Sequence, residues 1–131
     1  MKYLLQTVLI AILSLTCITS GLAQNKLERT QVSVEVLTAE GSKVYKAKCS
    51  KCHGKTGWGQ EYGHDAAPKL RGNYANLATE EITIQVIRGG AYMPKFDYLS
   101  DHDIAAVATY IRNSFGNKLG LVTVEDISKF R

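Results

Sequence analysis

The sequence predicts an all-α fold of three to four short helices joined by long loops, and three observations lead to it. First, apolar residues recur at intervals of three and four along separate stretches, which is typical of helices with one buried face. Second, glycines punctuate the segments between these stretches and indicate turns. Third, the run Cys49-Ser50-Lys51-Cys52-His53 gives the loops a site around which to fold.

The Cys49–His53 run has the spacing of a c-type haem attachment site. Cysteines three positions apart lie about one helical turn from each other, so both thiols can add to the vinyl groups along one edge of a porphyrin. The histidine that follows then lies under the ring, where an imidazole nitrogen can bind the iron. The sequence therefore predicts one covalent haem c, held through Cys49 and Cys52, with His53 as an axial ligand.

Two other kinds of site use a Cys-x-x-Cys pair. A redox-active dithiol of the thioredoxin type follows a strand in a βαβ unit, whereas a lysine-rich helical pattern precedes Cys49. A structural zinc requires four ligands, and the sequence has no second cysteine pair to supply them. Haem attachment is therefore the favoured interpretation.

The second axial ligand must come from another part of the chain, and Met93, His64 and His102 are the candidates. Met93 is favoured because it lies in a loop far enough along the chain to reach the opposite haem face. Pro94 follows it and limits the freedom of that loop. The alternative for Met93 is a core methionine that fills a gap. His64 and His102 are expected to be ordinary surface histidines.

The first helix is predicted to start at Thr38 or Ala39 and to end near Lys48, directly before the haem motif. Three of its residues share one face by helical spacing, namely Gly41, Val44 and Tyr45. Before this helix, residues 31–36 alternate polar and apolar side chains. That alternation predicts a short extended segment, or alternatively a loose arm lying over the domain.

Three further helices carry start signals, with N-caps predicted at Thr79, Ser100 and Thr123. Asp103 completes a capping box with Ser100, which opens the clearest helix of the chain. Gly89 and Gly116 are the predicted stops of the second and third helices. Long irregular segments at 54–74 and 90–99 separate these helices, and a bound haem would explain them.

The amino-terminal segment is typical of a secretory signal, with an apolar centre and small residues up to Ala23. The predicted organisation is a signal at 1–23, an arm at 24–38 and a haem domain at 39–131. Polar residues interrupt the apolar run, so cleavage is favoured, and Cys17 would leave with the signal. The mature protein is then periplasmic and has no membrane span. An uncleaved signal would instead anchor it in the membrane.

The formal net charge is +4, which is not the balance of a nucleic-acid-binding protein. Positive charges gather around the haem motif, at Lys43, Lys46, Lys48, Lys51 and Lys55. Negative charges gather elsewhere, at Asp97, Asp101 and Asp103. This asymmetry could steer a charged partner, or the lysines could simply form the solvated face of a helix.

Taken together, these motifs resemble class I c-type cytochromes, the small soluble monohaem electron carriers, over about residues 41–117. The matching pieces occur in the order that the family shows. They are Gly41 and Tyr45 before the haem motif, the proline loop at 67–73, the methionine loop at 89–94, and the end of the C-terminal helix at 110–117. The resemblance implies a cytochrome c fold.

The resemblance also implies roles for single residues. The carbonyl of Pro68 would accept a hydrogen bond from the far nitrogen of His53 and so fix the ring. Gly41 would let the first helix cross the 100–113 helix closely, with tyrosines packed nearby. Met93 would give its thioether to the iron, so the metal ligands would be His53 and Met93. Residues 122–127 also resemble, loosely, the tail of cytochromes that work with periplasmic dehydrogenases and oxidases.

The predicted function is one-electron transfer by a periplasmic carrier, not catalysis. Its partners would be a dehydrogenase, a reductase or an oxidase, met by transient docking, and the protein is expected to be a monomer. One alternative is a haem subunit dedicated to a single dehydrogenase or reductase. Another is a gas sensor or peroxidase with an open iron, which would follow if Met93 is not bound.

Overall fold

Helices and connecting segments make up the described residues, and no strand occurs among them. The computed structural model describes residues 33–59, 67–72, 77–90 and 92–131. Within it, Val34–Arg131 forms one compact unit. The predicted signal at 1–23, the first part of the arm and His64 lie outside the described residues.

Five helical segments occur in the described part of the chain, in agreement with the predicted all-α fold class. The first, α1, covers residues 33–48, and α2 follows at once as the short turn Ser50–His53. The others are α3 at Thr79–Arg88, α4 at Asp101–Asn113 and α5 at Val124–Ser128.

The start of α1 corrects one prediction, because residues 33–36 are helical instead of extended. Residues 31 and 32 lie outside the described part. Val34 and Leu37 are partly buried, whereas Val36 is 51% exposed. This spacing continues the buried face that includes Gly41, so it follows the helical period. An alternation over six residues is too short to outweigh the helix that it adjoins.

The predicted N-caps of α4 and α5 are confirmed. The Ser100 hydroxyl accepts a hydrogen bond from the Asp103 amide at 3.1 Å. Thr123 and Asp126 form a reciprocal capping box at the start of α5. These contacts satisfy amide groups that would otherwise lack partners in the first turn.

The predicted N-cap of α3 is wrong by one residue. Ala78 is the N-cap, without a side-chain hydrogen bond, and Thr79 is the first helical residue. Acidic side chains at Glu80 and Glu81 lie in the first turn and favour this helix end through its dipole. Gly89 ends α3 as predicted, in a left-handed conformation with φ of 69°.

The crossing of α1 and α4 depends on Gly41. A Cβ atom at this position would lie 2.0 Å from the carbonyl oxygen of Ala106 and 2.8 Å from the Cβ of Tyr110. Only glycine fits at this distance. The Tyr45 and Tyr110 rings pack beside the crossing, with their centroids 5.2 Å apart. The expected close approach and the expected tyrosine contact are therefore both present.

The core is centred on α4, whose residues 104–109 are all buried. Apolar residues from α3 and from the C-terminal segment pack against it, namely Ile82, Val86, Ile87, Val122 and Ile127. Among the described helices, none is both long enough and apolar enough to cross a bilayer. The haem motif follows directly after α1, the helix that crosses α4 at Gly41.

Candidate haem site

Both cysteines of the motif lie on one tight turn and are free thiols. The backbone amides of Cys52 and His53 both donate to the Cys49 carbonyl, at 3.2 and 3.0 Å. A helix, not a strand, leads into this turn, which is not the setting of a thioredoxin-type dithiol. In the described part of the chain, no group of three or more His, Cys, Asp or Glu side chains could hold a metal ion.

Burial affects the ionisable groups at the start of the motif. It raises the pKa of the Cys49 thiol to about 11, and the nearby Cys52 adds to this shift. Burial also raises the pKa of Tyr45, whose hydroxyl donates to the Gly54 carbonyl at 2.7 Å. Tyr45 thus ties the residue that follows the motif back to α1.

His53 is buried, with 8% of its surface exposed. Its Nδ1 atom lies 3.1 Å from the carbonyl oxygen of Pro68. A carbonyl only accepts hydrogen bonds, so Nδ1 must carry the proton, and Nε2 keeps the lone pair that a metal needs. The contact expected between His53 and Pro68 is therefore present, with the tautomer that suits an iron ligand.

Residues 67–72, here called the proline segment, lie against residues 53–59. The Leu70 amide donates to the Gly57 carbonyl at 2.8 Å, and the Gly59 amide donates to the His53 carbonyl at 3.0 Å. Gly59 has a φ of +72°, and a Cβ there would lie 2.2 Å from the Ala67 carbonyl oxygen. Close backbone packing therefore holds the carbonyl of Pro68 beside Nδ1 of the histidine ring.

Met93 is partly buried against the hydrophobic core. Its Sδ atom accepts a weak hydrogen bond from Gln85 Nε2 at 3.6 Å, and its carbonyl accepts one from the Gly90 amide at 2.9 Å. Gln85 belongs to α3, so this helix positions the methionine. His102 is on the surface, with its Nε2 2.9 Å from a Glu40 carboxylate oxygen.

Sequence reasoning missed Asn117 as part of the site. Its buried side chain bonds to the backbone of Leu70 and Gly72 and so ties the proline segment to the end of α4. Asn117 fell within the resemblance at 110–117, but nothing in the sequence indicated its partners, which lie more than 40 positions away. A contact between residues so far apart in the chain leaves no recognisable pattern in the sequence around either of them.

The residues present fit a covalent haem. Two free thiols share one turn, the adjacent imidazole has Nε2 available, and a thioether lies on a separate segment packed against the core. No other cofactor uses this donor set in this order. The fold and the site together define a c-type cytochrome domain.

Comparison with known proteins agrees with this class. Residues 36–111 match the family described as cytochrome c oxidase, cbb3-type, subunit III. Because the match covers more than half of the chain, the protein belongs to this family. It is an electron-transfer haem protein, and its family implies covalently bound haem c.

The chain is also similar to the fructose dehydrogenase cytochrome subunit of Gluconobacter japonicus, with 27% identity over 123 residues. The alignment covers 82% of this chain but only 25% of that subunit. The chain thus spans about a quarter of the length of this curated relative.

Proposed function

We propose that the protein is a one-electron carrier whose haem iron is bound by His53 and Met93. The observation that carries the proposal is the contact of His53 Nδ1 with the Pro68 carbonyl. It fixes both the tautomer and the orientation of the ring, as bound histidines require. A histidine on the surface requires neither a fixed tautomer nor a fixed ring orientation.

Each residue of the site then has a separate task. Cys49 and Cys52 would hold the haem covalently, and His53 and Met93 would bind its iron. A bound haem would supply one reversible electron between ferrous and ferric iron. With two protein ligands on the iron, no position would remain for a substrate, which favours a carrier over a catalyst. Because Pro68 holds the His53 ring in place, that ligand need not rearrange when the electron moves.

The partner is proposed to be a redox protein that docks transiently. Lys51 and Lys55 are exposed beside the motif and would line the rim of such a contact. Similarity to a dehydrogenase cytochrome subunit supports a dehydrogenase as one partner. It also supports the second candidate, in which the chain is a haem subunit dedicated to one dehydrogenase. Purification at native abundance distinguishes them, since a dedicated subunit would stay with its enzyme.

The site of action is proposed to be the periplasm, after cleavage of residues 1–23. Thioether attachment of haem is typical of exported proteins of this class. An intact mass equal to Gln24–Arg131 plus one haem would support cleavage, attachment and stoichiometry together. A mass that includes residues 1–23 would contradict cleavage and favour the anchored alternative.

The role of Met93 is tested by the absorption spectrum of the oxidised holoprotein. The wild type should show a weak sulfur-to-iron band at the red end, and Met93→Ala should lack it. His102→Ala is the matched control, because His102 was the other described candidate and should leave the band unchanged. Absence of the band in the wild type, or ready binding of carbon monoxide by its reduced form, would favour the open-site alternative.

A further inference from the structure

We infer that Asn117 is a positioning residue that sets the orientation of the His53 ring, acting through the proline segment. This inference rests on the proposed binding of iron by His53. Asn117 lies in neither the haem motif nor the two loops that carry Pro68 and Met93. Its side chain nevertheless links the proline segment to α4, the most buried of the described helices.

Three hydrogen bonds define this link. Asn117 Nδ2 donates to the Leu70 carbonyl at 2.8 Å and to the Ile111 carbonyl at 2.9 Å. Its Oδ1 accepts from the Gly72 amide at 2.8 Å. The side chain is 7% exposed, so water does not readily replace these partners. Ile111 belongs to the core, so the proline segment takes its position from α4.

The proline segment in turn positions the His53 ring, through residues that are close together in the sequence. Leu70 is bonded at its carbonyl to Asn117 and at its amide to the Gly57 carbonyl. Pro68, two residues earlier, offers its carbonyl to His53. Only Lys69 separates Pro68 from Leu70. We therefore expect a shift of Leu70 to move the carbonyl that holds the imidazole.

Asn113, the last residue of α4, provides a control close to Asn117 in the sequence. Its Nδ2 donates to the Thr109 and Gly120 carbonyls at 2.8 and 3.0 Å, and its Oδ1 accepts from the Gly120 amide at 3.1 Å. The number and type of bonds equal those of Asn117. The segment that is held differs, since it is residue 120 for Asn113 and the proline segment for Asn117. Burial differs too, because Asn113 is half-buried and Asn117 is buried.

The test compares Asn117→Ala with Asn113→Ala in the holoprotein by proton NMR of the reduced state. In Asn117→Ala, the His53 Nδ1 hydrogen should exchange with solvent roughly tenfold faster. This is the change expected when the closed state loses the net free energy of one hydrogen bond. The reduction potential should also rise, since a weaker bond to Pro68 makes the imidazole a poorer electron donor to the iron. In Asn113→Ala, both quantities should stay at their wild-type values.

Equal changes in the two variants, or no change in either, would overturn the positioning role. Should Asn117→Ala fail to fold, native-state hydrogen exchange of the wild type decides. The Gly72 amide and the His53 ring hydrogen should then open with the same free energy, and independent opening would overturn the inference. If the His53 ring signals of the wild type carry no porphyrin ring-current shift, the proposed iron binding itself fails. That outcome is distinct from a failure of Asn117.

Discussion

The His53 imidazole lies within hydrogen-bond distance of a backbone carbonyl, that of Pro68 at 3.1 Å, whereas the Met93 thioether meets a side-chain amide at 3.6 Å. The His53 side comprises residues 53–59 and the proline segment, tied together by Tyr45, Asn117 and backbone hydrogen bonds. The Met93 side comprises α3 with residues 89–90 and 92–99. Its backbone is also bonded, from Gly90 to Met93 and from Phe96 to Val86, but the contact to the thioether itself is 3.6 Å long.

We expect the difference between the two sides to give the two proposed iron ligands different stabilities. Hydrogen bonds to buried groups are costly to break because the separated groups lose their partners. A contact between an amide and a thioether is weaker, since sulfur is a poor acceptor. We therefore expect the His53 side to open only when the domain unfolds, and the Met93 side to open earlier. Three substitutions test this expectation and a fourth is a control for stability alone. They follow from the largest expected effect to the smallest.

Gly59→Ala should have the largest effect, a loss of about 2–3 kcal/mol in the free energy of unfolding. Gly59 is left-handed, and the added Cβ would lie 2.2 Å from the Ala67 carbonyl oxygen. Gly90→Ala is the control on the Met93 side, because its Cβ would meet the Gln85 Nε2 atom at 2.9 Å, and that flexible side chain can move. Urea unfolding of the holoproteins measures both. Equal losses would show that the two sides are equally tight.

Tyr45→Phe should lower the free energy of unfolding by about 1–1.5 kcal/mol. The change removes the hydroxyl that donates to Gly54 and keeps the ring that packs on Tyr110 and Phe115. The sulfur-to-iron band should persist, because Met93 belongs to the other side. Loss of that band in Tyr45→Phe would mean that the two sides are coupled.

Asp126→Asn should cost about 0.5–1 kcal/mol at neutral pH, as expected for a capping contact. The backbone amide of Thr123, with help from Lys129, holds the pKa of Asp126 below its ordinary value. A carboxylate with a lowered pKa stabilises the folded state above the unfolded pKa of 3.8, and this contribution is lost as the pH falls through the folded value. The difference between variant and wild type should therefore shrink below about pH 4.

Asp126 lies on neither side of the site, so its variant also serves as a control for stability alone. Its spectrum, its reduction potential and its affinity for added ligands should equal those of the wild type. A changed spectrum would show that general destabilisation is enough to disturb the iron.

Gln85→Ala should have the smallest effect on stability, about 0.5 kcal/mol or less, because Gln85 is exposed. It should nevertheless raise the affinity of the oxidised protein for added imidazole several-fold, since its contact to Met93 Sδ is lost. Titration of the red-end band with imidazole measures this. An affinity equal to that of the wild type would show that Met93 is held by packing alone.

The parts of the fold that the sequence predicts correctly depend on contacts close in the chain. The Ser100 and Thr123 caps bond to residues three positions on, and such contacts leave a recognisable pattern. The Cys49–His53 turn is equally local. The His53 contact with Pro68 was expected from the resemblance to a family, not from spacing.

The parts that the sequence does not predict depend on contacts far apart in the chain. Asn117 bonds to Leu70 and Gly72, and Arg112 donates to the Leu77 carbonyl at 2.6 Å. Asparagine and arginine in such places have no periodicity that would reveal a partner. The start of α1 is predicted wrongly for a different reason, because an alternation of six residues is too short to outweigh the helix that it adjoins.

The close contact of Gly41 with Ala106 joins two points 65 positions apart and closes the chain into one large ring that contains every proposed haem ligand. The entropy cost of closing such a ring grows slowly with its length, by about 0.6 kcal/mol for each doubling. Connections inside the ring can therefore be lengthened or exchanged at little cost while the crossing stays intact. A natural or engineered variant could acquire a new surface for another redox partner in this way, without rebuilding the helix crossing beside the proposed haem site.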